Sequence, residues 1–253
     1  MHHARFIPCL LVQDGRLVKT VRFGQPSYIG DPVNTVSIFT GLRADEIMVL
    51  DITATRDNRE PDYELLTKMA RHCTVPFGYG GGIRNVEQAR RILALGYEKL
   101  VLNSVLAERS EFITKVAGMT GSQAVVASID VRRDDKGVPH AFTHNGTRRV
   151  DMDLVDWARM LVARGAGEIL LYSIDRDGTM SGYDLDLVRQ VEQAVTVPVI
   201  ACGGAATRAD LAHVVKVAGA QAAGAGAIFV YQKSNRSVLV NYPELPLRRA
   251  SLQ

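Results

Sequence analysis

The sequence predicts a single (β/α)₈ barrel built from two similar halves, and three observations lead there. The chain has 253 residues, close to the roughly 250 typical of one such barrel. Short β-branched runs alternate with segments of helical period, the pattern of parallel strands covered by helices. The chain also repeats itself. Val75-Pro76 precedes Gly81-Gly82 as Val197-Pro198 precedes Gly203-Gly204, and 197 − 75, like 203 − 81, is 122. The same offset carries Leu50-Asp51-Ile52-Thr53 onto Tyr172-Ser173-Ile174-Asp175. Two half-barrels of four βα units, about 1–121 and 122–241 with a short tail 242–253, account for this. Eight strands can close with no exposed edge. The alternative is a doubly wound open sheet in which the repeated dipeptides recur by chance.

Taken in order, the first strand falls near 6–12, and Asp31-Pro32 caps a helix over 31–44. A strand at 46–51 leads to a helix at 60–72, a strand at 76–80 to a helix at 86–96, and a strand at 99–103 to a helix at 109–118. The second half repeats the plan with strands at 123–130, 168–173, 198–202 and 222–226. Its helices fall at 152–165, 183–195, 207–218 and 233–240, the last cut short by Tyr242-Pro243 and Pro246.

Hydrophobic residues make up 47% of the chain and charged residues 23%, as in globular proteins with a sizeable core. Thirty basic side chains face 27 acidic ones, a net +3, and the basic residues are scattered apart from Arg132-Arg133 and Arg148-Arg149. Nucleic acid is a poor partner for such a surface. No apolar stretch approaches the ~18 residues of a membrane span, so a cytoplasmic protein without membrane attachment is expected. Cys9, Cys73 and Cys202 are odd in number, far apart and without metal-ligand spacing. They read as small buried thiols, with neither disulfides nor a metal site, and no cofactor motif is present.

The loops after the strands of such a barrel build its active site, often around a phosphate. Gly203-Gly204 closes the seventh strand and Gly224-Ala225-Gly226 the eighth. Gly80-Gly81-Gly82 closes the third, and Asn103-Ser104 closes the fourth with side-chain donors. Backbone N–H groups can approach an anion there without a Cβ in the way. Two such cradles on one mouth imply a small ligand phosphorylated at both ends. Between them, Asp130 ends the fifth strand, placed for proton transfer. Asp51, Asp175 and Asp177 end the second and sixth strands, where ligand contact and catalysis are both open. Half-barrel symmetry sets Leu11, from Pro8-Cys9-Leu10-Leu11-Val12, opposite Asp130. A leucine carries no proton, so a pair of carboxylates across the mouth lacks one member.

From Arg5 to Phe229 the chain resembles the cyclase subunit of imidazole glycerol phosphate synthase, the ammonia-using half of a glutamine amidotransferase. The segments carrying the resemblance include Gln13-Asp14-Gly15-Arg16-Leu17-Val18-Lys19, Gly30-Asp31-Pro32, Leu50-Asp51-Ile52-Thr53-Ala54, Gly80-Gly81-Gly82-Ile83 and Ser173-Ile174-Asp175-Arg176-Asp177-Gly178-Thr179. The resemblance implies a substrate with two phosphorylated arms that is attacked by ammonia and closes to an imidazole. It implies Asp130 as the acid and Lys19 as a loop residue closing over substrate. Gly82, Asn103, Asp177, Gly178, Gly204 and Gly226 would belong to the phosphate sites, beside Asp51, Ser104, Asp175 and Gly203. Arg5, Glu46, Lys99 and Glu168, each at the start of a strand, would form a ring that gates ammonia at the barrel floor.

The family's strand-one aspartate falls on Leu11, and Gly78 and Val101 stand where the family has hydroxyl side chains along the ammonia route. The combination of Ile7-Pro8-Cys9-Leu10-Leu11, Cys202-Gly203-Gly204-Ala205 and a short tail ending in Asn241-Tyr242-Pro243 is similar to a paralogous branch associated with acetamidino modification of surface sugars. That branch implies a companion glutaminase at the N-terminal face and a sugar amidotransferase as the ammonia consumer. No Gly-x-Cys-x-Gly turn offers a glutaminase nucleophile within this chain. Two other readings stay open: a working imidazole glycerol phosphate synthase cyclase of histidine biosynthesis, and a non-catalytic scaffold that activates the glutaminase.

Overall fold

The computed structural model describes residues 4–232 and 237–244. Its strands are β1 (Arg5–Gln13), β2 (Arg16–Lys19), β3 (Ser27–Gly30), β4 (Ile47–Asp51), β5 (Phe77–Gly80), β6 (Lys99–Leu102) and β7 (Val125–Arg133). They continue with β8 (Pro139–Thr143), β9 (Arg148–Arg149), β10 (Glu168–Ser173), β11 (Val199–Cys202), β12 (Ala222–Ala225), β13 (Tyr231–Gln232) and β14 (Ser237–Val238). The helices are α1 (Pro32–Gly41), α2 (Tyr63–His72), α3 (Val86–Ala94), α4 (Ser104–Glu108), α5 (Phe112–Thr120), α6 (Leu154–Ala163), α7 (Leu185–Glu192), α8 (Arg208–Ala218) and α9 (Ala227–Val230).

Eight strands pair in parallel in the order β1, β4, β5, β6, β7, β10, β11, β12, and β12 returns to β1 through Arg5↔Ala222 to Pro8↔Ala225. The predicted barrel is closed. Two antiparallel additions rise from its mouth. β2 and β3 extend β1, and β8 and β9 extend β7. No helix among the described residues is long and apolar enough to cross a membrane.

The repeat extends to the helix starts. Asp31 and Asp153, Asp62 and Asp184, and Asn85 and Thr207 each cap a helix N-terminus by accepting from the backbone two or three residues on. The differences 153 − 31, 184 − 62 and 207 − 85 are all 122. Each cap satisfies a donor that the helix leaves unpaired and contributes about 1 kcal/mol.

Apolar burial falls into two layers. The larger lies between the barrel wall and the helices, with Phe6, Phe39, Phe77 and Phe229 at its centre. The smaller fills the barrel interior with Ile7, Cys9, Met48, Val101, Val126, Leu170, Tyr172, Ile200 and Cys202. The alternation of strand side chains sends odd positions of β1 and even positions of β7 and β10 inward.

Two expectations need correction. The helix expected at 109–118 is α5, which starts later at Phe112, and a short helix that was not expected, α4, precedes it and ends with Arg109 as its C-cap. The helix at 233–240 is not formed over 237–238, where β14 pairs with β13, while 233–236 lie outside the described residues. Tyr242 instead anchors the segment that follows, donating its hydroxyl to the Phe6 carbonyl at 2.6 Å.

Candidate active site

The C-terminal strand ends open into a cavity of about 190 Å³, lined by Leu11, Asp51, Gly80, Gly81, Gly82, Asn103, Ser104, Asp130 and Tyr172. The sequence-derived first cradle is therefore assembled at the barrel mouth. Gly81 and Gly82 adopt φ of +128° and +68°, and a Cβ on either would meet the Asp51 or Arg59 carbonyl oxygen within 3 Å. Only glycine lets these strands approach so closely. Asn103 donates to the Ser128 carbonyl at 3.2 Å, and Ser104 accepts from the His144 backbone at 3.0 Å. That second contact ties the β8–β9 hairpin to the cradle.

Asp130 is buried at the inner edge of this cavity. Burial pushes its carboxyl up to about 7; the Ser128 hydroxyl, donating at 3.4 Å, and Asn103 pull the other way, while Asp177 adds to the rise. A carboxyl near 7 exchanges a proton readily at neutral pH. Leu11 lies on the same lining and is 3% exposed. On β1 it pairs with Leu50 as Asp130 on β7 pairs with Tyr172, and 172 − 50 is 122. The register thus makes Leu11 the counterpart of Asp130.

Asp51 is turned toward its own loop. One oxygen accepts from the Thr53 and Ala54 backbones and the Thr53 hydroxyl at 2.9–3.0 Å, and Arg59 approaches at 3.6 Å. Asp175 lies in neither cavity lining. It accepts from the Arg133 backbone at 2.9 Å and steadies the start of the β7–β8 turn.

The second cradle is a separate cleft of about 10 Å³ bounded by Lys19, Tyr172, Asp177, Gly178, Gly203, Gly204 and Gly226. Lys19 is not on a free loop. It ends β2, is buried, and holds its ammonium 3.8 Å from Asp177 and against Gly226, where a Cβ would sit 2.6 Å from Nζ. Asp177 also accepts from the Thr20 hydroxyl at 2.6 Å, the Phe23 backbone at 3.3 Å and the Tyr172 hydroxyl at 3.0 Å. Residues 20–23 are thereby fastened over the cleft. Gly178, at φ +65°, passes so close that a Cβ would lie 2.1 Å from the Thr20 carbonyl oxygen.

At the other end of the barrel, Arg5, Glu46, Lys99 and Glu168 form a ring of alternating charge. Arg5 donates to both Glu46 and Glu168, and Lys99 reaches Glu46 at 2.9 Å and Glu168 at 2.6 Å. Burial holds the Glu46 carboxyl above its ordinary value against the pull of Lys99 and Arg5. Burial lowers the Arg5 guanidinium less than the two glutamates raise it, so its net shift is upward. The interior between ring and mouth is mostly apolar, with the Gly78 Cβ direction pointing at Met48 and Lys99 and with Val101 beside it.

Sequence reasoning missed Thr20, Phe23, Arg56 and Tyr172. Arg56 and Phe23 line the mouth cavity, and the Phe23 ring meets Tyr172 edge-on at 5.2 Å. The offset had already paired Tyr172 with Leu50, and that signal could have placed it inside the barrel.

With this geometry, comparison with known proteins is informative. Residues 5–235 match the family described as "Histidine biosynthesis protein". The chain is 44% identical over 245 residues to a provisionally named imidazole glycerol phosphate synthase subunit hisF2 of Pseudomonas aeruginosa, covering 97% of this chain and 98% of that one. It is 44% identical over 240 residues to a provisionally named subunit HisF of Leptospira interrogans, covering 94% of each. It is 43% identical over 232 residues to imidazole glycerol phosphate synthase subunit HisF of Halalkalibacterium halodurans, covering 91% of this chain and 92% of that one.

Proposed function

The chain belongs to the histidine biosynthesis protein family, and from that premise we propose that it is a HisF-type synthase subunit that takes ammonia from a separate glutaminase. Ammonia would enter through the charged ring at the floor and reach a phosphorylated ligand at the mouth. The observation that carries this reading is the juxtaposition of a complete ring with an incomplete mouth. Arg5, Glu46, Lys99 and Glu168 are all engaged below, while Asp130 faces Leu11 above.

In this reading Asp130 is the proton-transferring group, and its carboxyl near 7 suits that task. The first cradle holds phosphate through backbone N–H groups, Asn103 and Ser104. Leu11 removes the second acid/base group, so imidazole closure is impaired and ammonia is passed onward. A sugar amidotransferase of acetamidino sugar synthesis is the consumer that this division of labour suits, and the glutaminase docks at the N-terminal face. Purified chain given an ammonium salt and the doubly phosphorylated family substrate should form little imidazole product. Turnover of about 1 per second or more, an ordinary enzymatic rate, would overturn the reading.

A second reading is a working imidazole glycerol phosphate synthase cyclase. The name of the Halalkalibacterium halodurans relative and the raised Asp130 carboxyl favour it. Another group would then replace the missing carboxylate, and Leu11→Asp should leave turnover nearly unchanged. A gain of about tenfold or more, some 1.4 kcal/mol of barrel-mouth catalysis, would exclude this alternative.

A further inference from the structure

Among the described residues, Tyr172 is the one shared by the apolar barrel interior, the mouth cavity and the second cradle. Strand β10 sets it there. Glu168 belongs to the floor ring, Leu170 to the interior and Tyr172 to the mouth, and strand alternation puts all three on the inward face. The repeat mate of Tyr172, Leu50, also lines the mouth cavity and packs against the interior. A leucine has neither the ring nor the hydroxyl.

The Tyr172 side chain is held at two points. Its ring meets Phe23 edge-on at 5.2 Å, and its hydroxyl donates to Asp177 Oδ1 at 3.0 Å. A bond from a hydroxyl to a carboxylate is charge-assisted and stronger than one between neutral groups. Burial first, and then the Asp177 charge, push the Tyr172 hydroxyl up from its ordinary value, so it stays protonated as a donor. On the floor side of the ring the interior is apolar, with Cys9, Leu170 and Ile200, and Cys202 sits beside Tyr172 across the β10–β11 pair. Such a lining admits neutral ammonia and rejects ammonium, a charge that would be buried there without a partner.

We propose that Tyr172 is a stopper between the barrel interior and the mouth, latched by Asp177, and that its ring swings aside before ammonia passes from the interior to a ligand at the mouth. This inference rests on the reading of the chain as a subunit that takes ammonia from a glutaminase, and it adds to that reading the point at which release is controlled. The charged ring governs entry at the floor. The tyrosine governs exit, so the interior is closed toward the mouth while the hydroxyl stays on Asp177.

An opening that lets ammonia out lets a small neutral reagent in, and the interior carries its own reporters. Cys9 and Cys202 are buried there and lie on neither cavity lining, while Cys73, half-buried at the end of α2, serves as the reference thiol. The full chain is treated with methyl methanethiosulfonate, and each cysteine is followed by peptide mass spectrometry. In the unaltered chain Cys9 and Cys202 should react at least about tenfold more slowly than Cys73. Tyr172→Ala should raise both interior rates at least about tenfold with Cys73 unchanged. Tyr172→Phe, which keeps the ring but loses the latch, should raise them about threefold, the scale of one hydrogen bond. Leu170→Ala removes apolar volume from the same interior at a residue on neither lining, and should not open the route from the mouth. Equal acceleration in Leu170→Ala and Tyr172→Ala would overturn the stopper, and Tyr172→Phe matching the parent would overturn the latch. Interior thiols as reactive as Cys73 in the unaltered chain would overturn both, and that result needs no variant to fold. Ammonia transfer is tested apart from this, by adding the chain to the glutaminase. A rate of glutamine hydrolysis indifferent to the chain would overturn that reading while leaving the labelling pattern as it is.

Discussion

Leu11 and Asp130 occupy equivalent positions in the two half-barrels, one pairing with Leu50 and the other with Tyr172 across repeat-related strand pairs. An apolar side chain and a buried carboxyl thus share one cavity. Leu11→Asp would bury a second carboxylate there, and the two groups would titrate as a coupled pair. Chemical denaturation should show a loss of about 2 kcal/mol above pH 7 and a smaller loss at pH 5, where a proton is shared. Equal losses at both pH values would mean that the introduced group escapes to solvent.

Asp130 gives a second pH-dependent signature. Its folded value, about 7, lies above the ordinary carboxyl value of 3.8. The folded chain therefore holds this proton more tightly than the unfolded chain. The cost of ionising it is absent below about pH 4, grows between 4 and 7, and is complete above 7. Asp130→Asn removes that cost, so it should gain stability relative to the parent as pH rises from 5 to 8, by roughly 2–3 kcal/mol. Urea titrations at the two pH values check this, and a flat difference would contradict it.

Removing one cation from the floor ring should be felt in folding as well as in function. Arg5→Ala leaves Glu46 and Glu168 with Lys99 alone. A loss of about 2 kcal/mol is expected, below the 3–5 typical of fully buried pairs, because the Arg5 side chain is 28% exposed. Denaturant midpoints measure the stability. Coupling to a glutaminase is measured by comparing glutamine-supported with ammonia-supported activity, and the ratio should change in the variant.

Gly178→Ala tests the fastening of residues 20–23. The new Cβ would collide with the Thr20 carbonyl oxygen in a left-handed backbone. Strain of about 1–3 kcal/mol should be relieved by release of that segment. Amide exchange at Arg22, which donates to the Asp177 carbonyl at 2.9 Å, should accelerate at least about tenfold, the equivalent of 1.4 kcal/mol in local opening. Unchanged exchange would show that the strain is absorbed on the Asp177 side instead.

The barrel was legible in the sequence because period and repeat are local properties. Each of the eight strands lies within two or three residues of its expected bounds, and the 122-residue offset related the Gly81-Gly82 and Gly203-Gly204 turns that border the two cavities. What the sequence hid depends on tertiary contact. Lys19 read as a mobile loop residue because its burial arises only when β2 folds back along β1 toward Gly226. Asp175 read as a mouth residue because chain position does not say that the Arg133 backbone would claim its carboxylate. Tyr172 drew no notice beside Asp175, although its side chain lines both cavities at the mouth.

Asp177 receives Thr20, Phe23, Tyr172 and Lys19 around a single carboxyl group. Loop release, displacement of the lysine and rotation of the tyrosine therefore share one thermodynamic account. Whatever loosens one of the three raises the affinity of ligands that require the others, and by reciprocity such ligands must loosen it in turn. The mouth of this barrel behaves as a knot with one crossing, and substitution at position 177 should set all three parts moving independently.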